Sequence, residues 1–199
     1  MNESTFEAIL YPTRLWSRPE VLARNCPVPG KAGVYAWYFR KVPPEVPTEG
    51  CHRVEGATLL YVGISPSKPS SSGQQLKERV RQHYNNNAFG STLRLTLGCL
   101  LADELSIELR REGRSGKRLT FVDGEQVLSK WMEANALVTW IETPEPWMLE
   151  PQIISQISVP LNLKQNESHP FYPVLSELRK SYRQRARELP ICNGMWSGS

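Results

Sequence analysis

The sequence has 199 residues, of which 40% are hydrophobic and 22% are charged, and its formal net charge is +4. These values predict one domain with a sizeable hydrophobic core, and they exclude a disordered chain or a fibrous repeat. No stretch approaches the roughly 18 consecutive apolar residues of a membrane span, so we expect no contact with a membrane.

The first half of the chain predicts two strands and a helix. Residues 1–30 are punctuated by prolines and predict an extension that packs on the edge of the domain. Residues 33–39 and 59–64 are rich in β-branched and aromatic side chains and predict strands, separated by a proline-rich irregular connection. Residues 65–73 predict a Ser/Pro-rich loop. The run from Ser72 to Gln75 resembles a capping box, so a helix is predicted from about Gly73 to Asn85.

The second half predicts a helix, a hairpin and further elements. Ser91 is a candidate N-cap for a helix to Leu101, although the alternation of leucines at 93, 95 and 97 leaves a strand open. Residues 106–111 and 118–122 predict a hairpin with a basic tip. Asp123 is a candidate cap for a helix that carries Val127, Leu128 and Trp131 on one side. Residues 137–142 predict a strand, and residues 145–157 and 173–188 predict helices.

Positive charge is concentrated in two segments. Residues 110–118 contain five basic side chains and one acid, a local charge of +4, and residues 176–190 contain five basic and two acidic side chains, a local charge of +3. Such clusters favour a polyanionic partner. A solvated hairpin tip and a solvated helix face are the alternatives for each cluster taken alone.

Two polar residues lie beside the apolar stripe of the first predicted long helix. Arg79 and His83 are four residues apart, so both side chains project to the same side. A fixed guanidinium suits a phosphate. The alternatives are a surface salt bridge for Arg79 and a boundary histidine with satisfied hydrogen bonds for His83.

Other polar residues break the pattern later in the chain. Glu150 lies on the predicted buried face of its helix, where an unpaired carboxylate is costly, so we expect a cation or an arginine beside it. A buried salt bridge to Arg79 is the alternative. Asn162, between two leucines, would bridge the helix to the strands or fix the site, unless it only forms a turn.

The two tyrosines of the predicted strands each have a glycine two residues away. Tyr35 shares a strand face with Gly33, and Tyr61 shares one with Gly63, because side chains alternate along a strand. The missing side chains are expected to leave room for a substrate backbone near the phenols. Either tyrosine alone would indicate only core packing.

These residues together resemble the GIY-YIG endonuclease superfamily. The two strand motifs appear as Gly33-Val34-Tyr35 and Tyr61-Val62-Gly63, each with an aliphatic substitution, and the arginine helix follows them. The resemblance assigns the catalytic positions to Tyr35, Tyr61, Arg79, His83, Glu150 and Asn162. His83 is similar to the additional histidine of restriction-type members, and the chain as a whole looks like a stand-alone bacterial member.

The resemblance implies an α+β fold, with a small mixed or antiparallel central sheet flanked by helices, an added hairpin and a C-terminal helix. It implies hydrolysis of phosphodiester bonds, most simply in DNA, with one divalent ion, Mg²⁺ or Mn²⁺, held by Glu150. Tyr35 would deprotonate or orient water and pass its proton to His83, Tyr61 would position water or phosphate, and the tyrosines could exchange these roles.

Several further expectations complete the prediction. The domains are an N-terminal extension (1–30), a GIY-YIG nuclease domain (31–165) and a basic helical C-terminal extension (166–199). The first residues lack a signal peptide, which favours a cytoplasmic location. The four cysteines are expected to be reduced. The predicted nucleic-acid contacts are Arg110, Arg111, Arg114, Lys117, Arg118, Arg183 and Arg187.

The alternatives in function remain open at this stage. A catalytically silent module of the same fold that binds nucleic acid or protein is one rival, and an unrelated α/β enzyme is another. The sequence leaves open whether DNA or RNA is cut, and whether one strand or two. A homodimer would follow if one site cuts both strands.

Overall fold

A computed structural model describes residues 3–68 and 73–192, and its strands form two sheets. The larger sheet contains β1 (Gly33–Phe39), β2 (Arg53–Val54), β3 (Ala57–Ser65) and β6 (Ala136–Glu142) in the order β2-β3-β1-β6. All three of its strand pairs are antiparallel. The smaller sheet is a hairpin of β4 (Arg110–Glu112) and β5 (Arg118–Thr120).

The described chain also contains eight helices, which cover both faces of the larger sheet. They are α1 (Glu3–Leu10), α2 (Arg18–Leu22), α3 (Leu76–Asn85), α4 (Thr92–Leu100), α5 (Ala102–Leu105), α6 (Gly124–Asn135), α7 (Pro146–Ile154) and α8 (Tyr172–Glu188). Within the described part of the chain, none of them combines the length and apolar character needed to cross a membrane. All four cysteines are free thiols, as predicted.

Strand β1 is buried along its whole length and separates two hydrophobic cores. Tyr35 and Trp37 point into the core that contains residues of α3, α4, α6 and α8. Val34 and Tyr38, on the opposite face, point into the core formed with α1 and α7. Two-sided burial explains why this strand is apolar throughout instead of alternating. The predicted α+β class, with an antiparallel sheet between helices, is confirmed.

The outer edge of β3 is covered by the segment after α7. The pairing of β1 with β3 shifts between Trp37 and Tyr38, which leaves Leu60 as an extra residue on β3. The backbone carbonyl of Leu60 accepts a hydrogen bond from the Leu161 amide at 3.0 Å. The short strand β2 pairs with only the start of β3. The contact with Leu161 satisfies a backbone group on the part of the β3 edge that β2 does not reach.

The N-terminal extension joins the opposite edge of the sheet. The backbone of Trp16 exchanges two hydrogen bonds with Val138 of β6, at 2.8 and 2.9 Å. The Trp16 ring stacks on Trp140, with ring centroids 5.6 Å apart. The extension therefore packs on the domain edge, although its assignment as a separate segment of residues 1–30 stays a prediction.

Some predicted element boundaries are wrong. Helix α3 begins at Leu76, and its capping box uses Gln75 and Glu78 instead of Ser72, which lies outside the described residues. The strand alternative for the leucines after Ser91 is wrong, because they lie on α4, which Ser91 caps by accepting a hydrogen bond from the Arg94 amide. Seven consecutive residues of α4 are buried, so tertiary packing surrounds this helix and stabilises it.

The start of α6 also differs from the prediction. The side chain of Asp123 makes no capping hydrogen bond. Glu125, in the first turn, binds amides outside the helix, since its Oε1 accepts hydrogen bonds from the backbone amides of Phe121 at 3.0 Å and Ala88 at 2.8 Å. Val127, predicted on the same side of the helix as Leu128 and Trp131, is 41% exposed, whereas Leu128, Trp131 and Met132 are buried.

A buried ion pair joins α4 to α6. The Arg94 side chain is fully buried and the Glu125 side chain is 13% exposed. Two guanidinium nitrogens donate to Glu125 Oε2, at 3.0 and 2.7 Å. Arg94 also donates to the carbonyl oxygens of His83 and Tyr84 at the end of α3, both at 3.4 Å. The pair therefore links three helices of one core.

We expect Glu125→Ala to lower the free energy of unfolding by about 3–5 kcal/mol, because it leaves a buried guanidinium without its carboxylate. Glu133→Ala on the same helix is the matched control. Glu133 is 47% exposed and pairs with Arg18 at the surface, so its loss should cost less than about 1 kcal/mol. Urea unfolding of both variants measures the difference, and equal costs would contradict a structural role for the buried pair.

Candidate active site

Side chains from both central strands and from four helices surround one cavity of about 320 Å³. Five of the six predicted catalytic residues line it: Tyr35, Tyr61, Arg79, Glu150 and Asn162. The sixth, His83, is fully buried behind Tyr35. The fold therefore brings together residues from β1, β3, α3, α7 and the segment that follows α7.

Tyr35 begins a chain of buried hydrogen bonds that leads away from the cavity. Its Oη lies 2.8 Å from His83 Nε2, and His83 Nδ1 lies 2.6 Å from Ser91 Oγ. Burial raises the pKa of Tyr35. Burial, followed by the neighbouring Arg79 and Arg94, lowers the pKa of His83 well below its usual value. At neutral pH the phenol is therefore protonated and the imidazole is neutral, so His83 Nε2 can accept the phenolic hydrogen bond.

The glycine of the second strand motif makes room for the Tyr35 side chain. A Cβ atom on Gly63 would lie 2.5 Å from Tyr35 Oη, and one on Gly33 would lie 2.1 Å from the Ile141 carbonyl oxygen. The expected space for a substrate backbone is therefore absent at Gly33, whereas Gly63 lines the cavity beside both phenols. The missing side chains instead allow the Tyr35 phenol and strand β6 to approach closely.

Arg79 is held by neutral acceptors. Its Nε donates to Tyr35 Oη at 3.4 Å, and its Nη1 donates to Gln82 Oε1 at 2.8 Å and to the Gly90 carbonyl oxygen at 3.0 Å. None of the salt bridges between described residues involves Arg79, so the predicted alternative of a pair with Glu150 is wrong. The guanidinium is therefore fixed in position while its charge stays free for an anion.

Glu150 contributes the carboxylate of the cavity. Burial raises its pKa, and the nearby Lys164 partly offsets this effect. Among the described residues it forms no salt bridge, and no group of three His, Cys, Asp or Glu side chains is arranged to hold a metal ion. A cation here would have one protein carboxylate as its ligand. This fits Mg²⁺, which usually keeps several waters and binds one or two carboxylates together with substrate phosphates.

Asn162 uses its amide to hold the cavity wall. Its Nδ2 donates to the Val62 carbonyl oxygen at 2.7 Å, and its Oδ1 accepts from the Val62 amide at 2.9 Å. The side chain therefore extends the edge of β3 as a strand would. Of the two predicted roles, these contacts favour bridging the strands and fixing the site.

Tyr61 is the second phenol of the cavity. Burial raises its pKa, and the neighbouring Thr92 hydroxyl and Arg79 guanidinium partly offset this rise. Tyr61 lies opposite Trp37 in the register of β1 and β3, two residues from the position opposite Tyr35. Both phenols therefore reach the same face of the sheet.

Sequence reasoning missed three contributors. Ser91 was identified only as a helix cap, although it also contacts His83. Lys164 and Arg179 line the cavity and were not predicted as site residues. For Arg179 a signal was present, because it lies four residues after the buried Leu175 on the apolar side of α8. This is the same pattern that identified Glu150.

The basic side chains of the hairpin divide into two groups, and none lines the cavity. Arg110 and Arg111 donate to the carbonyl oxygens of Pro190 and Leu189, so they hold the end of α8. Arg114 and Lys117 are exposed at the tip. Arg118 is also exposed and places its guanidinium 5.7 Å from the ring centroid of Phe89.

The comparison with known families agrees with this geometry. The family model described as a GIY-YIG catalytic domain matches residues 33–181, which is most of the chain and includes part of α8. No curated protein and no solved structure matches the chain significantly. The chain belongs to the GIY-YIG family, whose members are nucleases that generally depend on a divalent metal.

Proposed function

We propose that this protein is a metal-dependent endonuclease that hydrolyses phosphodiester bonds in nucleic acid, with DNA as the substrate. The observation that carries the proposal is the single cavity shared by two phenols, a guanidinium and a carboxylate. The substrate class follows from family membership. The choice of DNA over RNA follows from the resemblance, and the experiment below tests it.

Arg79 binds the scissile phosphate in this proposal. Its guanidinium is fixed by three protein acceptors and carries a charge that no described carboxylate neutralises. Such a donor stabilises the charge that develops on the phosphate oxygens during attack. The Arg79 guanidinium therefore needs little change in position when the substrate binds.

Tyr35 and His83 activate the attacking water. The water transfers a proton to Tyr35 Oη while the phenolic proton moves to His83 Nε2, across the 2.8 Å contact. His83 is neutral at neutral pH, so its Nε2 lone pair is available for this proton, although the lowered pKa makes the imidazole a weak base. With Nε2 as acceptor, Nδ1–H donates to Ser91 Oγ, which fixes the imidazole orientation.

Glu150 holds the divalent ion, Mg²⁺ or Mn²⁺. The bound ion supplies Lewis-acid stabilisation of the phosphate and of the leaving oxygen. The bond from phosphorus to the 3′ oxygen breaks as the water oxygen attaches, and the leaving oxygen takes a proton from solvent. Tyr61 positions the phosphate or the water from β3, and Asn162 keeps the cavity wall in register.

Nucleic acid reaches the cavity along exposed basic residues. The hairpin tip offers Arg114 and Lys117, whereas Arg110 and Arg111 are already engaged with α8. Arg118, Arg183 and Arg187 complete the proposed contacts with phosphates, which position a strand without reading its bases. A homodimer and the separate C-terminal extension (166–199) remain predictions.

We expect Glu150→Gln to abolish Mg²⁺-dependent cleavage while leaving nucleic-acid binding within about twofold, because the substitution removes the proposed metal ligand without changing the shape of the side chain. The measurement uses labelled single-stranded, duplex and branched DNA, with matching RNA, in Mg²⁺ and in EDTA. Glu177→Gln, at an exposed position of α8, is the control and should cut like the wild type.

Two outcomes would contradict this proposal. If the Glu150 variant cuts like the wild type, the activity belongs to another site or to a contaminant. If the wild type binds nucleic acid but cuts none of these substrates in Mg²⁺ or Mn²⁺, the silent nucleic-acid-binding module becomes the better explanation.

Removal of the Glu150 charge should raise stability at neutral pH. Burial raises the pKa of this carboxyl above its ordinary value of 4.5, so the folded protein binds the proton more tightly than the unfolded chain. Stability is therefore lost as the pH rises through the folded pKa. In EDTA, Glu150→Gln should have a higher Tm than the wild type at about pH 7, and the gap should shrink towards about pH 4.

The same Tm measurements in Mg²⁺ test the metal site without activity. Mg²⁺ should raise the Tm of the wild type and leave that of Glu150→Gln unchanged, because only the carboxylate binds the ion. A difference in Tm between the two proteins that does not change with pH would argue against a buried carboxylate. An equal rise in the Tm of both proteins in Mg²⁺ would argue against a metal-binding carboxylate.

Tyr35 and His83 should behave as one unit in kinetics. We expect Tyr35→Phe to lower kcat about 100- to 10,000-fold, because general-base assistance is lost. His83→Gln should cause a loss of similar size, and the double variant should be no slower than the worse single variant. Single-turnover cleavage measures all three, with folding checked by circular dichroism. Losses that multiply in the double variant would show that the two residues act separately.

A further inference from the structure

Arg179 is a buried cation that the catalytic roles above do not use. It lies on α8, is 8% exposed, and lines the same cavity as Tyr61 and Glu150. Its Nε is buried without a hydrogen-bond partner. Arginine is rarely buried unless it is paired, so this position calls for an explanation.

The surroundings of Arg179 within the described residues do not neutralise it. None of the salt bridges there involves Arg179. Burial and the positive charge of Arg183, one turn further along α8, both lower the pKa of Arg179. A guanidinium nevertheless remains protonated, since its ordinary pKa is far above neutral. The protein therefore maintains an uncompensated charge in a site where it is costly.

The charges around the cavity favour an anion with more than one negative charge. Among the described lining residues three are cationic, Arg79, Lys164 and Arg179, and one is anionic, Glu150. The lining thus has an excess of two positive charges. One phosphodiester carries a single negative charge, so the scissile phosphate bound by Arg79 leaves one cation without a counter-charge even before the charge of the proposed divalent ion is added.

We propose that Arg179 binds the phosphate next to the scissile phosphate on the same nucleic-acid strand. This inference rests on the proposed nuclease function. Both guanidiniums line one cavity of about 320 Å³, and neighbouring phosphates are the pair that a strand places closest together. Arg179 touches substrate away from the reacting bond, so its contribution is to binding and placement.

The same helix indicates where the strand continues. Arg183 and Arg187 follow Arg179 at intervals of four residues, which places the three side chains in one row along α8. Arg179 is buried, Arg183 is half-buried and Arg187 is exposed. The row therefore runs from the cavity to the surface, and it extends the phosphate path outward.

The first experiment measures binding without cleavage. In EDTA, Arg179→Gln should weaken binding of a fluorescein-labelled oligonucleotide about 10- to 100-fold, the size expected for a charge-assisted contact. The slope of log affinity against log salt should fall by about one. Arg179→Lys should recover part of the loss. Arg185→Gln is the matched control, because it removes a guanidinium from the same helix at a side chain that is 69% exposed and paired with Glu108.

The second experiment locates the phosphate. Once the cut position is mapped with the wild type, a neutral methylphosphonate is placed at each neighbouring phosphate in turn. At one position the neutral phosphate should weaken binding by the wild type as much as the Arg179→Gln substitution does. At that same position it should not weaken binding by the Arg179→Gln variant any further. In steady-state cleavage, Arg179→Gln should raise KM with little change in kcat.

Stability separates binding from a structural role. Arg179→Met keeps the apolar length of the side chain and removes the buried charge, so its Tm should equal or exceed that of the wild type. A large fall in Tm with unchanged oligonucleotide affinity would overturn the inference, as would a change confined to kcat. If Arg179 governs affinity but the wild type never cuts, the nuclease proposal fails, and Arg179 remains a phosphate-binding residue of a silent module.

Discussion

The register between β1 and β3 places Tyr35 opposite Gly63, and the position of both phenols depends on this pairing. The Tyr35 phenol lies in the space that any larger side chain at Gly63 would occupy. Tyr61, two residues earlier on β3, then points to the same face of the sheet. A shift of one residue would turn one phenol into the opposite core, because side chains alternate along a strand. The two strand motifs are therefore one structural unit.

A continuous series of polar contacts connects this unit to the helical core. Tyr35 contacts His83, His83 contacts Ser91, and the Ser91 hydroxyl accepts a hydrogen bond from the Arg94 amide. Arg94 in turn is held by Glu125. Such a buried network is favourable only when every member is satisfied, and it then fixes one arrangement. The proposed base thus rests on a rigid framework, which keeps the imidazole within reach of the phenol.

The cavity combines neutral proton-transfer groups with an excess of positive charge. Burial keeps Tyr35 and His83 uncharged, while Arg79, Lys164 and Arg179 remain cationic around one carboxylate. This division suits the proposed anionic substrate that reacts with water, since cations attract phosphate and a neutral imidazole has a lone pair for a proton. Helix α8 contributes one of the cations and forms one wall of the cavity. The C-terminal segment is therefore part of the site's electrostatics.

The sequence by itself determined the class of fold and six side chains of the site, of which five line the cavity and His83 lies directly behind it. It could do so because strand alternation and helical spacing are local, so a polar residue such as Glu150 on an apolar face is visible in the chain. The double hydrogen bond of Asn162 joins it to Val62, which is far away in sequence. The contact of His83 is with Ser91, which the sequence identified only as a helix cap. Only the tertiary structure decided these contacts, together with the space at Gly63 and the entry of Arg179 into the cavity, because packing between distant elements sets which groups share one buried volume.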